Sequence, residues 1–453
     1  MLKGKDIIIR GAILLGGATF IAKLLGAFYR VPLTNLIGSF GLGLYQMVFP
    51  VYALLLDLSG AGVPTALSKI ISSFNGEDRV GYAKSCLKAS IKIFLVVGVI
   101  FAFAMAIFCK KIAVVQGNAN AWLGYLFLSP AIIPVCILSC FRGYFQGLLK
   151  MSPTALSQIT EQLVKLCLGL LFARLALPNI PRAVAGATFA ITISEFVALL
   201  QIYLTYKKHA CKQEFSQKSV YYLKQIYKPL IKMVIPITLT GIILPLSQVI
   251  DSFMIINLLS RYRQDATNLY GVLSGVAVTV IGLPVAMCHG VCTVALPSVS
   301  SCPYNQKQLL SQKALLITAI FAMLSAVICY YFAHFIVGLL FRSLNYADKT
   351  LAINLIKILS PSVIFLALLH TENSLLIAYG KQKIPPITLL LGAIVKLIIN
   401  FVLISNPVYN IYGGAFGLIA CYFLPCLINL IILTFIKVKN ESSITKFRQL
   451  QNG

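Results

Sequence analysis

The chain has 453 residues, of which 59% are hydrophobic and only 11% are charged, and its formal net charge is +26. A soluble chain carries about 25% charged residues, so this composition excludes a soluble enzyme and a secreted domain. In a soluble protein the positive charge would suggest nucleic acid. Here the charge lies mostly in short loops between apolar runs, so we expect no nucleic-acid partner.

Apolar runs of about 20 residues recur along the whole chain, and each is long enough to cross the hydrocarbon core of a membrane. Because a backbone inside lipid must satisfy its own hydrogen bonds, these runs are predicted to be helices. The predicted fold class is an all-α polytopic membrane protein. Its twelve spans lie near residues 7–32, 41–72, 83–109, 121–146, 154–177, 183–206, 229–259, 268–297, 313–341, 350–379, 386–405 and 411–437.

A lysine-rich polar segment divides the predicted spans into two sets of six. We predict an N-terminal six-helix lobe at 1–206, a cytoplasmic linker at 207–228, a C-terminal six-helix lobe at 229–437 and a cytoplasmic tail at 438–453. A weak internal repeat relates the ends of the second and eighth spans. This repeat indicates two pseudo-symmetric lobes around a central cavity.

The basic residues are divided unevenly between the two sides of the membrane. One side, which includes the linker and both termini, holds 24 lysines and arginines, and the other side holds 9. An excess of basic residues marks the cytoplasmic loops of a membrane protein. We therefore predict a multi-pass protein of the cytoplasmic membrane with both termini in the cytoplasm.

Charged side chains inside the spans are the candidate functional residues, because each is costly in a membrane unless it is paired or faces water. Lys23 and Arg30 lie seven residues apart and so share one face of the first helix. A basic stripe there suits an anionic headgroup such as a pyrophosphate. Alternatively, Lys23 forms a structural bridge to Asp57 or Asp251, and Arg30 is an interfacial anchor.

Acidic residues also lie inside the spans. Glu161 and Lys165 are four residues apart, the spacing of a salt bridge on one helix, and we predict a structural pair there. Glu195, Asp251 and Glu372 have no partner close in sequence, so they are candidates for ion coupling or for pairing between lobes. We expect no metal site and no cofactor, and the sequence lacks nucleotide-binding and catalytic-triad signatures.

Three stretches of the sequence resemble a known family. They are FYRVPLTNLIGSFGLGLYQMVFPVYALLLDLSGAGVPTALSKI at 28–70, FRGYFQGLLKMSPTALSQITEQLVKL at 141–166 and LYGVLSGVAVTVIGLPVAMCHGVCTVALPSVS at 269–300. They resemble the stage V sporulation protein B group of the multidrug/oligosaccharidyl-lipid/polysaccharide exporter superfamily. That superfamily includes the MurJ-type lipid II flippases, and the resemblance spans nearly the whole chain.

The resemblance implies an alternating-access transporter with a basic cavity lined by spans 1, 2, 7 and 8. Its implied substrate is an undecaprenyl-pyrophosphate-linked saccharide, such as the peptidoglycan precursor. Lys23 and Arg30 match the basic positions of the family's first helix. MurJ-type flippases also carry arginines on the second and eighth helices. This chain instead has Asp57 on the second helix, and no basic residue lies between Leu269 and Ser300.

The implied function is transport without catalysis, in cell-wall biogenesis or sporulation. The implied partners are the lipid-linked saccharide, membrane lipid and a coupling cation, and we expect a monomer. Two other functions fit the sequence. A cation-coupled multidrug exporter of the same superfamily would favour acids over bases in its cavity. A non-transporting scaffold for cell-wall synthesis would have no need of Lys23, so the first helix favours the flippase.

Overall fold

The computed structural model describes residues 2–74, 79–210, 223–301 and 304–451 of the chain. Throughout these ranges the regular secondary structure is helical, which confirms the predicted all-α class. The helices are α1 (Leu2–Leu56), α2 (Gly62–Ser72), α3 (Arg79–Val115), α4 (Trp122–Leu128), α5 (Ile132–Gly147), α6 (Ser152–Leu175), α7 (Ile180–Ala210), α8 (Leu223–Gly241), α9 (Ile243–Leu259), α10 (Ala266–Tyr270), α11 (Val278–Ser301), α12 (Tyr304–Tyr331), α13 (Ala333–Leu340), α14 (Tyr346–Ala378), α15 (Ile384–Ile404) and α16 (Tyr412–Gln451).

Among the described residues, ten helical stretches are long and apolar enough to cross a membrane, or eleven if the bent pair Ile226–Leu239 and Ile243–Leu259 is one span. The chain is therefore a polytopic helical membrane protein. The count differs from the twelve predicted spans because the first stretch, Leu14–Ser72, has 59 residues and includes both the first and the second predicted span. At 1.5 Å per residue it is about 88 Å long, enough for two passes through a hydrocarbon core of about 30 Å.

The break that separates these two passes lies at Gly38. Its backbone has φ 68° and ψ −176°, whereas the residues on both sides are helical. Only glycine adopts such a conformation without a steric penalty. Gly38 lies in the gap between the predicted first and second spans, 7–32 and 41–72, although no polar loop separates them.

Two π-helical segments interrupt the helices. Asp57–Ala61 lies between α1 and α2, and Gly271–Ala277 lies between α10 and α11. A π-turn adds a residue to the helical repeat, bends the helix and occurs often at functional sites. Both segments fall in spans 2 and 8, which the sequence predicts to line the cavity.

By packing, the chain forms two compact units. Unit 1 comprises residues 1–279 and 337–352, and unit 2 comprises 280–336 and 353–453. The helices α8 and α9 thus pack within unit 1, together with the spans that precede the linker. The predicted lobes, divided at 207–228, stay a prediction, and most of that linker lies outside the described residues.

Unit 1 is held together by α1, which packs against α6, α7, α9 and α10. Its largest buried side chains include Tyr29, Tyr45 and Tyr125. Glycines allow the closest approach: a Cβ on Gly43 would lie 2.1 Å from the Thr267 carbonyl oxygen, and one on Gly271 would lie 2.1 Å from that of Ser39. Small residues at helix contacts are the usual means of close packing in membranes.

In unit 2, α15 and α16 pack extensively against each other. A small apolar cluster of Cys288, Ala322 and Ala367 packs against Phe321 and joins α11, α12 and α14. Polar contacts add to it, since the Thr318 and Thr371 hydroxyls lie 3.0 Å apart in a buried position. Hydroxyl pairs of this kind are a common interhelical contact in membrane proteins.

Candidate functional site

A polar face of α1 meets a polar face of α6 inside unit 1. The Thr19 hydroxyl donates to Gln158 Oε1 at 3.1 Å. Seven residues, or two helical turns, further along α1, a Cβ on Gly26 would lie 3.4 Å from Gln162 Oε1. Thr19, Lys23 and Gly26 follow each other at helical spacing. The face of the first helix predicted to carry the basic stripe is thus the face near α6.

The two cations of that stripe have different surroundings. The Lys23 side chain is exposed, and Arg30 is half-buried. Arg30 Nη1 donates to Thr279 Oγ1 at 3.3 Å, so it contacts a neutral hydroxyl at the start of α11. A guanidinium held this way keeps further N–H donors for another acceptor.

Lys165 lies against the same helix from the side of α6. Its ammonium nitrogen is 5.5 Å from the ring centroid of Tyr29 and 5.5 Å from that of Phe49. Cations at this distance are attracted by the negative face of an aromatic ring. Lys165 was predicted to pair with Glu161, but the structure places it over these rings instead.

The ion pair of Glu161 is made by Arg142 of α5. Arg142 Nη2 donates to Glu161 Oε2 at 2.9 Å, and Arg142 Nε donates to the Ser157 hydroxyl at 3.1 Å. Gln162 Nε2 donates to the other carboxylate oxygen at 2.9 Å. The arginine replaces the predicted lysine because its planar fork reaches both acceptors across the α5–α6 contact, whereas helical spacing alone favoured the lysine.

Glu195 brings a second acid to this region from α7. The side chain is buried, and no described group donates to its Oε2 atom. Its electrostatic neighbours are Glu161, Arg142 and Lys165. These four residues form what we call the charged cluster, with two cations and two acids on three helices. Such a cluster within the membrane is unusual unless it serves a function.

The remaining acids predicted in unit 1 lie at separate places. Asp57 is half-buried and begins the π-helical segment after α1. Asp251 is buried on α9, and Tyr270 is among its electrostatic neighbours. The next residue, Ser252, accepts from Gln116 Nε2 at 2.6 Å. A bridge from Lys23 to either acid stays a prediction.

Glu372 is the acid of unit 2, on α14. It is completely buried, and Cys426 Sγ donates to its Oε1 atom at 3.4 Å. No described group donates to Oε2. Three residues beyond Cys426 on α16, the buried Asn429 donates to Asn373 Oδ1 at 2.9 Å. Unit 2 thus holds a buried carboxyl group with one oxygen that has no described donor. Binding of a proton or a small cation at that oxygen would offset the cost of burying the charge.

A comparison with known families decides which family the chain belongs to. Residues 8–302 match the family described as polysaccharide biosynthesis protein, and this match covers more than half of the chain. The chain belongs to the polysaccharide biosynthesis protein family. This assignment confirms the resemblance to the exporter superfamily that the motifs indicated.

Relatives of this polysaccharide biosynthesis family protein match along most of its length. Stage V sporulation protein B of Bacillus subtilis (strain 168) is 27% identical over 427 residues, which is 92% of this chain and 81% of that protein. Lipid II flippase MurJ of the same organism is 26% identical over 421 residues, 88% of this chain and 77% of that protein.

Solved structures show the same fold. A multidrug resistance MATE family transporter in an inward-facing conformation superposes with a TM-score of 0.75 at 14% identity, over 96% of this chain and 99% of that one. Lipid II flippase MurJ in an inward closed conformation gives a TM-score of 0.73 at 18% identity, over 93% and 87%. The family member described here therefore has the MATE/MurJ-like fold.

Sequence reasoning missed Arg142, Gln158 and Gln162 as parts of the charged region. The sequence bias counts Arg142 only as one of the 24 basic residues on the cytoplasmic side. One signal was available: all three residues lie within 141–166, the stretch that carries the family resemblance most specifically. A motif rich in polar residues within an apolar chain indicates a polar contact between helices rather than a loop.

Proposed function

We propose that this chain is a flippase that moves an undecaprenyl-pyrophosphate-linked saccharide across the cytoplasmic membrane by alternating access. The observation that carries the proposal is the group of cations on the facing sides of α1 and α6. Neither Arg30 nor Lys165 forms an ion pair with a described residue. Cations in a confined site of reduced dielectric attract a pyrophosphate strongly, and they would repel a cationic drug.

The relatives support the same substrate class. One of the matching proteins is named a lipid II flippase and another a stage V sporulation protein, and the family is named for polysaccharide biosynthesis. In this function the sugar headgroup passes through the cavity, and the polyprenyl tail stays in the bilayer. Lys23 and Arg30 attract the pyrophosphate, and Asp57 of the second span is the third candidate residue of the substrate site.

Transport against a gradient needs a coupled driving force. We assign this role to the buried acids Glu195, Asp251 and Glu372, because a buried carboxyl group changes its protonation or binds a cation more readily than a paired one. Glu372 and Glu195 fit best, since each has a buried carboxylate oxygen without a described donor. The basic side of the chain, with both termini and the central linker, faces the cytoplasm.

The experiment is a headgroup-accessibility assay in proteoliposomes that contain the full chain. Three labelled probes are compared: lipid II, a wall-teichoic-type undecaprenyl-pyrophosphate precursor and a cationic dye. We expect one of the two lipid-linked saccharides to become accessible to a membrane-impermeant reagent faster than in protein-free vesicles. Movement of the dye alone would identify a multidrug exporter, and movement of none of the probes under any gradient would favour a scaffold.

A further inference from the structure

A pocket of about 500 Å³ lies within unit 1, between α4, α6 and α7. Its walls are formed by Leu123 and Phe127 of α4, Phe172 of α6, and Arg182 and Phe189 of α7. The described lining is apolar except for Arg182. The pocket is separate from the charged cluster, whose residues do not line it.

Three phenylalanines give the pocket its shape. The ring of Phe189 stacks on that of Phe172 at 5.9 Å and meets that of Phe127 edge-on at 5.5 Å. The helices α6 and α7 approach closely beside these rings, since a Cβ on Gly186 would lie 2.8 Å from the Phe172 carbonyl oxygen. Phe127 and Phe189 are both exposed at the helix surface. The pocket is therefore open on one side, within helices of membrane-spanning length.

Arg182, the charged residue of the pocket, marks one of its ends. Arg182 lies in the first turn of α7, and Phe189 follows it by seven residues on the same face, about 10 Å deeper along the helix. Trp122 begins α4 next to Leu123, and the Lys110 nitrogen lies 5.1 Å from its ring centroid. Tryptophan is typical of the headgroup level of a membrane. The arginine end thus lies near the headgroups and the aromatic end near the acyl chains.

Other basic residues lie on the helices near the Arg182 end of the pocket. Arg174 lies in the last turn of α6, and Lys111 follows Lys110 on α3. No ion pair of the Arg182 guanidinium is formed with a described residue. Its fork of N–H groups matches the geometry of a phosphate. The apolar part of the pocket disfavours water, and an acyl chain is the apolar ligand that a membrane would offer.

We propose that this pocket binds an anionic glycerophospholipid, with an acyl chain among the three phenylalanines and the phosphate on Arg182. Its volume falls within the range of small-ligand sites and suits one acyl chain rather than a whole polyprenyl tail. An arginine fork beside an apolar slot offers the two kinds of contact that a phospholipid phosphate and its acyl chain need. The site goes beyond the transport function and does not depend on it.

The test uses the full-length protein in nanodiscs of equimolar phosphatidylglycerol and phosphatidylcholine, with retained lipids counted by native mass spectrometry. The wild-type protein should retain phosphatidylglycerol in preference to phosphatidylcholine. Arg182→Gln should lower that preference about fivefold, the effect of one basic residue at a membrane surface. The matched control is Arg261→Gln, an exposed arginine after α9 that does not line the pocket, and it should keep the wild-type preference.

A second variant tests the apolar part of the site. Leu123→Trp places a larger ring in the pocket and should reduce the retention of both lipids. Two results would overturn the proposal. One is unchanged phosphatidylglycerol retention by Arg182→Gln, and the other is displacement of the bound phospholipid by equimolar undecaprenyl phosphate, which would assign the pocket to a polyprenyl substrate instead.

Discussion

The guanidinium of Arg142 on α5 and the carboxylate of Glu161 on α6 form an ion pair at 2.9 Å, with only 16% and 17% of their side-chain surfaces exposed. Ser157 and Gln162 satisfy further atoms of the same pair. A second ion pair of the described residues, Arg263 with Asp265, has the same 2.9 Å separation but is 46% and 42% exposed. The two pairs thus have the same shortest N···O distance but differ in their access to water.

The first prediction compares these two pairs. Arg142→Ala should destabilise the protein by about 2–3 kcal/mol, because it leaves the Glu161 carboxylate uncompensated at low exposure. Arg263→Ala should cost only about 0–1 kcal/mol, the usual worth of an exposed pair. The measurement is the Tm of the purified protein in detergent. Equal shifts of Tm in the two variants would contradict this account of the charged cluster.

The second prediction concerns the close approach of α1 to α10. Gly43→Ala should destabilise the protein by about 1–3 kcal/mol, since the added Cβ would lie 2.1 Å from the Thr267 carbonyl oxygen and must displace backbone. Gly17→Ala is the control on the same helix, because a Cβ there has nothing within 4 Å. That variant should leave Tm unchanged or slightly raised. A Gly43→Ala protein as stable as Gly17→Ala would show that α1 and α10 are less tightly packed.

The sequence predicts the elements of this fold better than their contacts. Hydrophobic length alone locates the spans, because it is a local property. It also separates the first two spans, 7–32 and 41–72, although it does not single out Gly38 as the residue at the break. The partner of Glu161 does not follow from such local reasoning. Helical spacing points to Lys165, whereas Arg142 is 19 residues away and reaches the acid only through the packing of α5 on α6.

The third prediction contrasts two buried acids. Glu372→Gln should keep the Tm or raise it, because the neutral amide removes a buried carboxylate that has only a thiol donor. The same variant should lose the dependence of transport on a sodium or proton gradient, with each gradient imposed separately on proteoliposomes. Asp348→Asn is the control: this acid accepts from Ser39 Oγ and from Asn268 Nδ2, at 2.8 Å for the latter.

In the control, Asp348→Asn removes a carboxylate whose hydrogen bonds are satisfied, and this should lower the free energy of unfolding by about 1–3 kcal/mol. The transport that remains in this variant should still depend on the gradient. The two variants therefore separate coupling from stability. Unchanged gradient dependence in Glu372→Gln would remove this residue from the coupling mechanism and leave Glu195 and Asp251 as the acids to examine.

The fourth prediction concerns orientation. The bias of 24 basic residues to 9 favours a cytoplasmic linker at 207–228 and an external loop at 260–267. Single cysteines placed in the two segments of a cysteine-free background should differ in intact cells. The external one should react with an impermeant maleimide, and the linker one should react only after lysis. Labelling of the linker in intact cells would invert the topology.

The last prediction is that the charge of Lys23 is required for transport. A lysine deep in a membrane costs about 2.5–3.5 kcal/mol unless it is paired or faces water. Lys23 is exposed on α1, as a cation that meets an anionic headgroup in a wet cavity would be. Lys23→Arg should retain most of the activity, since both cations bind phosphate. Lys23→Gln should lower the initial rate of lipid-linked saccharide transport at least about tenfold, because a hydrogen bond to a charged group contributes about 1.5–3 kcal/mol.

The matched control is Lys92→Gln, an exposed lysine inside α3 to which no role is assigned, and it should transport at the wild-type rate. A structural bridge to Asp251 makes the opposite prediction. In that case Lys23→Ala would lower abundance and Tm, because the Asp251 carboxylate would be left buried without its partner. The Lys23→Ala/Asp251→Ala double variant would restore both, because it removes that carboxylate as well. Transport by Lys23→Gln at the wild-type rate and at normal protein level would refute headgroup binding by the first helix.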